Sequence, residues 1–129
     1  MQPSTKEVCN MFDHVGIKVR DLQASAAFYA AALKPLGHEL GCSDKDTAGL
    51  GLKDALALWL YRSDKPAGPG THLAFRAPSR ETVDRFHQAT LKAGGRDNGA
   101  PGPRPDYSPT YYAAFVIDPD GNNVEAVLT

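Results

Sequence analysis

The chain repeats one order of elements twice, and this duplication limits the folds open to it. Two alternating stretches, DHVGIKV from residue 13 and THLAFRA from residue 71, each precede a helical segment and then further short strands. They carry His14 and His72 at matching places, 58 positions apart. Self-similarity at a fixed spacing indicates a repeated supersecondary unit. We therefore expect an α+β fold of two βαβββ modules, whose curled mixed sheets form a cleft.

The two modules are predicted at about residues 11–62 and 71–128. A segment rich in proline, glycine and charge, SDKPAGPG at residues 63–70, is the expected linker. A length of 129 residues suits a single domain, so both modules are assigned to one domain over residues 1–129. Residues 1–10 are predicted to be a loose polar leader.

Each module has one predicted helix that begins at a capping residue, Asp21 in the first and Ser79 in the second. Helical spacing marks the buried stripe of the first at Leu22, Ala26, Tyr29 and Leu33, and that of the second at Val83, Phe86, Thr90 and Leu91. The four prolines within Arg96–Thr110 indicate a long irregular loop, of the kind that is functional or mobile and able to close over a pocket.

The end of the chain is typical of a β-hairpin. Strands Tyr111–Ile117 and Asn123–Val127 flank Asp118-Pro119-Asp120-Gly121, whose proline and glycine suit a type I turn followed by a positive φ. Alternation places Glu125 on the face opposite Val124 and Ala126. Three interpretations of this carboxylate are open: it is solvated, paired with a cation, or bound to a metal.

Three potential ligands, His14, His72 and Glu125, share the property of lying mid-strand on the face opposite the aliphatic one. Two imidazoles and one carboxylate bind Fe, Mn, Zn or Ni as divalent ions and leave positions open for substrate. Taken singly, each residue is more often a packing or surface residue. The matched placement of the two histidines favours a metal site.

A substrate pocket is predicted from Trp59, Tyr61, Tyr112 and Arg76. The aromatic residues suit a flat or apolar ligand, and Arg76 shares a strand face with His72. The competing interpretation is that aromatic residues simply favour strands and that Arg76 is a surface charge.

Composition excludes several classes of function. The formal net charge is −1 and there is no basic run, so we expect neither nucleic acid nor a membrane surface as partner. No apolar run approaches the roughly 18 residues of a membrane span. Cys9 and Cys42 lack CxxC spacing and are interpreted as free thiols, which favours a cytoplasmic protein.

Three segments carry a family resemblance: FDHVGIKVRDLQASAAFY, THLAFRA and AAFVIDPDGNNVEAV. They resemble the vicinal oxygen chelate superfamily, which includes glyoxalase I, bleomycin-resistance proteins, fosfomycin-resistance proteins and extradiol dioxygenases. The resemblance implies a divalent metal ion on His14, His72 and Glu125 and a small substrate that chelates it through adjacent oxygens. It also implies a homodimer, with the site either within one chain or shared between two.

One departure from the family bears on the reaction. Trp59 falls where glyoxalase I has a fourth ligand that takes part in proton transfer, so the resemblance disfavours glyoxalase I itself. A three-ligand site is similar to the extradiol dioxygenases, and no catalytic acid or base is assigned. Two alternatives to a metal-dependent lyase or dioxygenase stay open: a metal-independent binding or drug-resistance protein, and a degenerate structural module.

Overall fold

The computed structural model of the protein describes residues 11–129. Within this part, eight strands and two helices follow one another: β1 (Val15–Val19), α1 (Leu22–Leu33), β2 (Glu39–Ser43), β3 (Thr47–Leu52), β4 (Ala55–Arg62), β5 (His72–Arg76), α2 (Arg80–Lys92), β6 (Arg96–Pro103), β7 (Tyr112–Ile117) and β8 (Asn123–Leu128). The predicted leader, with Cys9, lies outside the described residues. Cys42 is an exposed free thiol.

The strands form two four-stranded sheets of the same topology. Their orders are β1-β4-β3-β2 and β5-β8-β7-β6. In each sheet the first strand of the module runs parallel to the last, and the other neighbours are antiparallel. The prediction of an α+β fold with two βαβββ modules and mixed sheets is confirmed.

Both helices begin at the predicted caps. The side chain of Asp21 accepts a hydrogen bond from the Ala24 N–H at 3.1 Å, and Ser79 forms a capping box with Thr82. The predicted stripe of α1 is buried throughout. In α2 the prediction is wrong for Leu91, which is 38% exposed. Thr90 is buried as predicted, and its hydroxyl donates to the Phe86 carbonyl within the helix at 2.8 Å.

The predicted loop over Arg96–Thr110 is wrong in its first half, which forms β6. This strand lies at the edge of its sheet, where proline is tolerated because its missing N–H faces no neighbour. Register shifts at Asp97/Gly99 and Gly99/Gly102 accommodate its glycines and prolines. Beyond Pro103 the chain is irregular, and Arg104 anchors it by donating to the Ala100 carbonyl at 2.8 Å.

Each helix covers one face of its own sheet, and α1 and α2 pack against each other. The buried side chains of both modules therefore form one hydrophobic cluster. Tyr29 of α1 reaches the second module, where its ring lies 6.5 Å from that of Phe75. The opposite sheet faces carry exposed side chains, among them Lys18 and Tyr61 on the first sheet and His72 and Arg76 on the second. No helix among the described residues combines the length and apolarity needed to cross a membrane.

A buried carboxylate ties the hairpin turn to the first module. Asp118 accepts hydrogen bonds from the N–H groups of Asp120 and Asn122, which shape the turn as predicted. Its second oxygen accepts from the Tyr29 hydroxyl and from the Asn122 amide. The same amide nitrogen donates to the Ala67 carbonyl of the linker at 2.9 Å. Turn, linker and α1 are thus joined through two buried side chains, Asp118 and Asn122, which are 4% and 1% exposed.

Replacing Tyr29 with phenylalanine removes a donor to Asp118 and keeps the buried ring. We expect Tyr29→Phe to lower the free energy of unfolding by about 1.5–3 kcal/mol, the typical contribution of a hydrogen bond to a charged group. Urea denaturation followed by circular dichroism measures this change. Tyr61→Phe is the matched control, and because Tyr61 is exposed it should change the same quantity by less than about 0.5 kcal/mol. Equal effects in both variants would contradict the role of Asp118.

Candidate functional site

The register of the second sheet brings His72 and Glu125 together. β5 runs parallel to β8, with Ala74 paired to Glu125 and His72 to Asn123. The two side chains lie on the sheet face that α2 does not cover, and His72 Nε2 is 3.0 Å from Glu125 Oε1. Glu125 is only 2% exposed, whereas about half of the His72 side chain is open to solvent. The carboxylate of this pair is therefore buried, whereas the imidazole beside it is accessible to solvent.

The hydrogen bonding of His72 determines what its second nitrogen offers. Nδ1 lies 3.0 Å from the Asn123 carbonyl oxygen, which only accepts, so Nδ1 carries a proton. In the neutral ring Nε2 then presents a lone pair to Oε1, another lone-pair atom. Two lone pairs at this distance repel unless a proton or a cation is shared between them. The geometry suits an imidazolium–carboxylate pair or two ligands of one metal ion.

Tyr111 holds the other oxygen of the carboxylate. Its hydroxyl donates to Glu125 Oε2. Burial raises the pKa of Tyr111 to about 12, and the hydrogen bond to Glu125 acts in the same direction. The hydroxyl is thus a donor at neutral pH, and Oε1 alone is left to face His72. In the sequence, Tyr111 was predicted to begin the first strand of the hairpin, and its place beside the strand that pairs with β8 was the only signal of this contact.

His14 is not in hydrogen-bonding contact with this pair. It lies just before β1, which begins three residues later than the predicted alternation from Phe12. Its Nδ1 is bonded to Asp13 Oδ1 at 2.7 Å, and its side chain is exposed. Across residues 11–129, no three His, Cys, Asp or Glu side chains are grouped closely enough to hold a metal ion. The structure therefore joins two of the three predicted ligands within one chain.

The predicted pocket residues fall in different places. Trp59 and Tyr61 lie on the uncovered face of the first sheet, where their rings fill the space above Gly49 and Gly16. Arg76 ends β5 in an exposed position. Tyr112 instead faces α2: its hydroxyl donates to Asp84 at 2.7 Å and Arg80 stacks on its ring at 4.8 Å.

A cavity of about 370 Å³ lies between the two modules. Its wall combines apolar side chains of both modules with three histidines: Leu33, Leu50, Leu58, Leu73, Phe75, His14, His38 and His72. His38 was not among the predicted site residues. Its Nδ1 is buried without a hydrogen-bond partner among the described residues, and desolvation lowers the pKa of His38 below its ordinary value.

The sequence matches the family model of the Glyoxalase/Bleomycin resistance protein/Dioxygenase superfamily over residues 11–126. The chain belongs to this superfamily, whose members typically use divalent metals. A search of curated proteins finds no significant match.

Solved structures agree with this assignment. A glyoxalase/bleomycin resistance protein from Albidiferax ferrireducens T118 is 34% identical, with a TM-score of 0.81, over 93% of this chain and 100% of that chain. The fold also matches a superfamily enzyme from Burkholderia phytofirmans PsJN, 20% identical over 90% of this chain and 96% of that one, TM-score 0.68. A glyoxalase-related enzyme from Fulvimarina pelagi is 17% identical over 94% and 88% of the two chains, TM-score 0.69.

The lowered pKa of His38 predicts a pH dependence of stability. The unfolded chain takes up a proton on this side chain near its ordinary pKa of 6.5, before the folded chain does. Stability from this group is therefore present above that pH and decreases as the pH falls below it. We expect the decrease in unfolding free energy between about pH 7.5 and about pH 5.5 to be smaller in His38→Gln than in the unaltered protein. Urea titrations at the two pH values measure it, and an unchanged decrease would contradict the burial of His38.

Proposed function

We propose that this protein is a divalent-metal-dependent enzyme that acts on a small substrate bearing adjacent oxygen atoms. The observation that carries the proposal is the convergence of His72 Nε2 and Glu125 Oε1 at 3.0 Å with the His72 proton held on Nδ1. The two atoms repel unless a proton or a metal ion lies between them, and an imidazole nitrogen with a carboxylate oxygen suits Fe, Mn, Zn or Ni as divalent ions. When bound, such an ion supplies Lewis-acid stabilisation of negative charge that develops on the substrate oxygens.

The residues around the pair orient it. The Asn123 carbonyl sets the tautomer and ring direction of His72, a contact typical of metal-binding histidines. The ring of Phe115 stacks on His72 with centroids 6.4 Å apart and limits its rotation. Tyr111 occupies Oε2 and leaves Glu125 one free oxygen. Both ligands are thus held before any metal or substrate arrives.

His14 completes the proposed ligand set from a second copy of the chain. The pair lies on an uncovered sheet face, and the first sheet also exposes such a face, beside His14. In a homodimer that places the uncovered first sheet of one chain against the second sheet of its partner, the partner's His14 would approach the pair. The incomplete ligand set within residues 11–129 supports this arrangement.

Trp59 bears on the kind of reaction. The ring occupies the uncovered face of the first sheet, where it covers Gly49 and offers neither a carboxylate nor an amide. We therefore favour a three-ligand lyase or dioxygenase chemistry over that of glyoxalase I.

The second candidate is a metal-independent small-molecule binding or drug-resistance protein. The same incomplete ligand set within residues 11–129 favours it, as does an apolar cavity that needs no metal to hold a ligand. Metal binding separates the two candidates.

We expect the chelator-treated protein to bind about one Zn²⁺ or Co²⁺ per chain, and His72→Ala to weaken binding by more than about 100-fold, since even outer-shell substitutions cost 10–100-fold. Isothermal titration calorimetry measures both. His87→Ala is the control, because His87 lies on α2 and bonds Asp97 at 3.0 Å. Absence of binding by the unaltered protein would exclude the enzyme and favour the second candidate.

A mixing experiment tests the shared site. His14→Ala and His72→Ala are each expected to bind metal poorly. After joint unfolding and refolding, each mixed dimer would have one intact site, so about one quarter of all sites should regain tight binding if pairing is random. Titration of the mixture measures this fraction. No recovery, despite mixed dimers shown by native mass spectrometry, would place His14 and His72 of one chain in the same site.

A further inference from the structure

We propose that the cavity between the modules binds the neutral aromatic body of the substrate, and that His38 recognises a hydroxyl or carbonyl group on it. His72 lies in the cavity wall as well as in the candidate metal site, so a ligand in the cavity would have its reacting oxygens near that site. The inference rests on the proposed function for this position alone. The side chains that would bind the aromatic body are not proposed metal ligands.

The volume of the cavity limits the size of the aromatic body that it can bind. Its volume of about 370 Å³ falls at the lower end of the range for small-molecule sites, about 300–1,000 Å³. A dry engineered cavity of about 150 Å³ binds benzene. The space between the modules therefore suits a two-ring system or one ring with substituents.

The lining selects for a neutral ligand. Leu33, Leu58, Leu73 and Phe75 provide an apolar surface from both modules. Asp13 is the one formally charged side chain in the described wall, and it is already bonded to His14. A charged body would lose hydration without gaining a free counter-charge, which is unfavourable. Aromatic and aliphatic bodies gain from the same removal of water.

His38 supplies the polar contact. Its backbone is held in the turn after α1, where its N–H donates to the Leu33 carbonyl at 3.0 Å. Its side chain lines the cavity, and the buried Nδ1 has no partner within residues 11–129. An unpaired buried nitrogen is unfavourable. A ligand hydroxyl can accept from Nδ1 in the tautomer that carries the proton there, and can donate to Nδ1 in the other neutral tautomer. The contact would therefore favour hydroxyl-bearing bodies over plain hydrocarbons.

The test uses 2-naphthol and naphthalene with the chelator-treated full chain, so that no metal contributes. We expect saturable binding of 2-naphthol, followed by its fluorescence, and binding of naphthalene, measured by displacement, about three- to tenfold weaker, as expected for one net hydrogen bond. In His38→Leu the two probes should bind with equal affinity.

A matched pair of variants locates the binding. Ala57 is an exposed strand residue in the cavity wall, and Ala55 is exposed on the same strand two residues earlier, outside the wall. Ala57→Leu should weaken 2-naphthol binding at least about fivefold, because the larger side chain fills space in the cavity. Ala55→Leu should leave it unchanged.

Absence of saturable binding, equal affinities in the two alanine variants, or a probe preference that survives His38→Leu would each overturn the inference. Zinc titration of the same samples keeps the two proposals apart. Metal binding without 2-naphthol binding would reject the cavity role alone, and 2-naphthol binding without metal would reject the enzyme alone.

Discussion

The carboxylate of Asp118 is the interaction on which the arrangement of the two modules depends. It lies in the turn between β7 and β8, yet one of its hydrogen-bond donors, the Tyr29 hydroxyl, comes from the helix of the other module. Burial and the neighbouring carboxylate raise the pKa of Tyr29, so the hydroxyl keeps its proton and remains a donor. Since a buried charge is tolerated only when it is paired or fully hydrogen-bonded, turn, linker and α1 must take these positions together.

The geometry of the candidate site depends on that turn. Because the turn sets the register of β7 against β8, Phe115 stands opposite Glu125 and the chain before β7 carries Tyr111 beside the same carboxylate. The parallel pairing of β5 with β8 then brings His72 alongside. Glu125 is therefore a second nearly buried acid, and its two oxygens have different surroundings: one accepts from a hydroxyl and the other faces an imidazole nitrogen.

The sequence predicted features that depend on neighbouring residues, but it mostly did not predict contacts between distant segments. Asp21 and Ser79 marked the helix starts because capping depends on neighbouring residues alone. The repeat predicted both modules, and alternation predicted the face of Glu125. In contrast, the prolines of Arg96–Pro103 suggested a loop, since nothing local shows that a segment lies at a sheet edge. The unpaired nitrogen of His38 and the contact of Tyr111 with Glu125 depend on tertiary packing that no motif records.

The packing of the two helices places the hydrophobic core and the candidate metal ligands on opposite faces of the sheets. Since α1 and α2 meet between the modules, the covered faces of both sheets are used by the core, and the ligand-bearing faces point away from it. The two environments meet at the crevice beside β5, because His72 faces one way and Leu73 and Phe75 face the other. A substrate held there would place its apolar body against the core side of β5 and its oxygens against the open side. One edge strand, through simple alternation, would thus present both parts of the site.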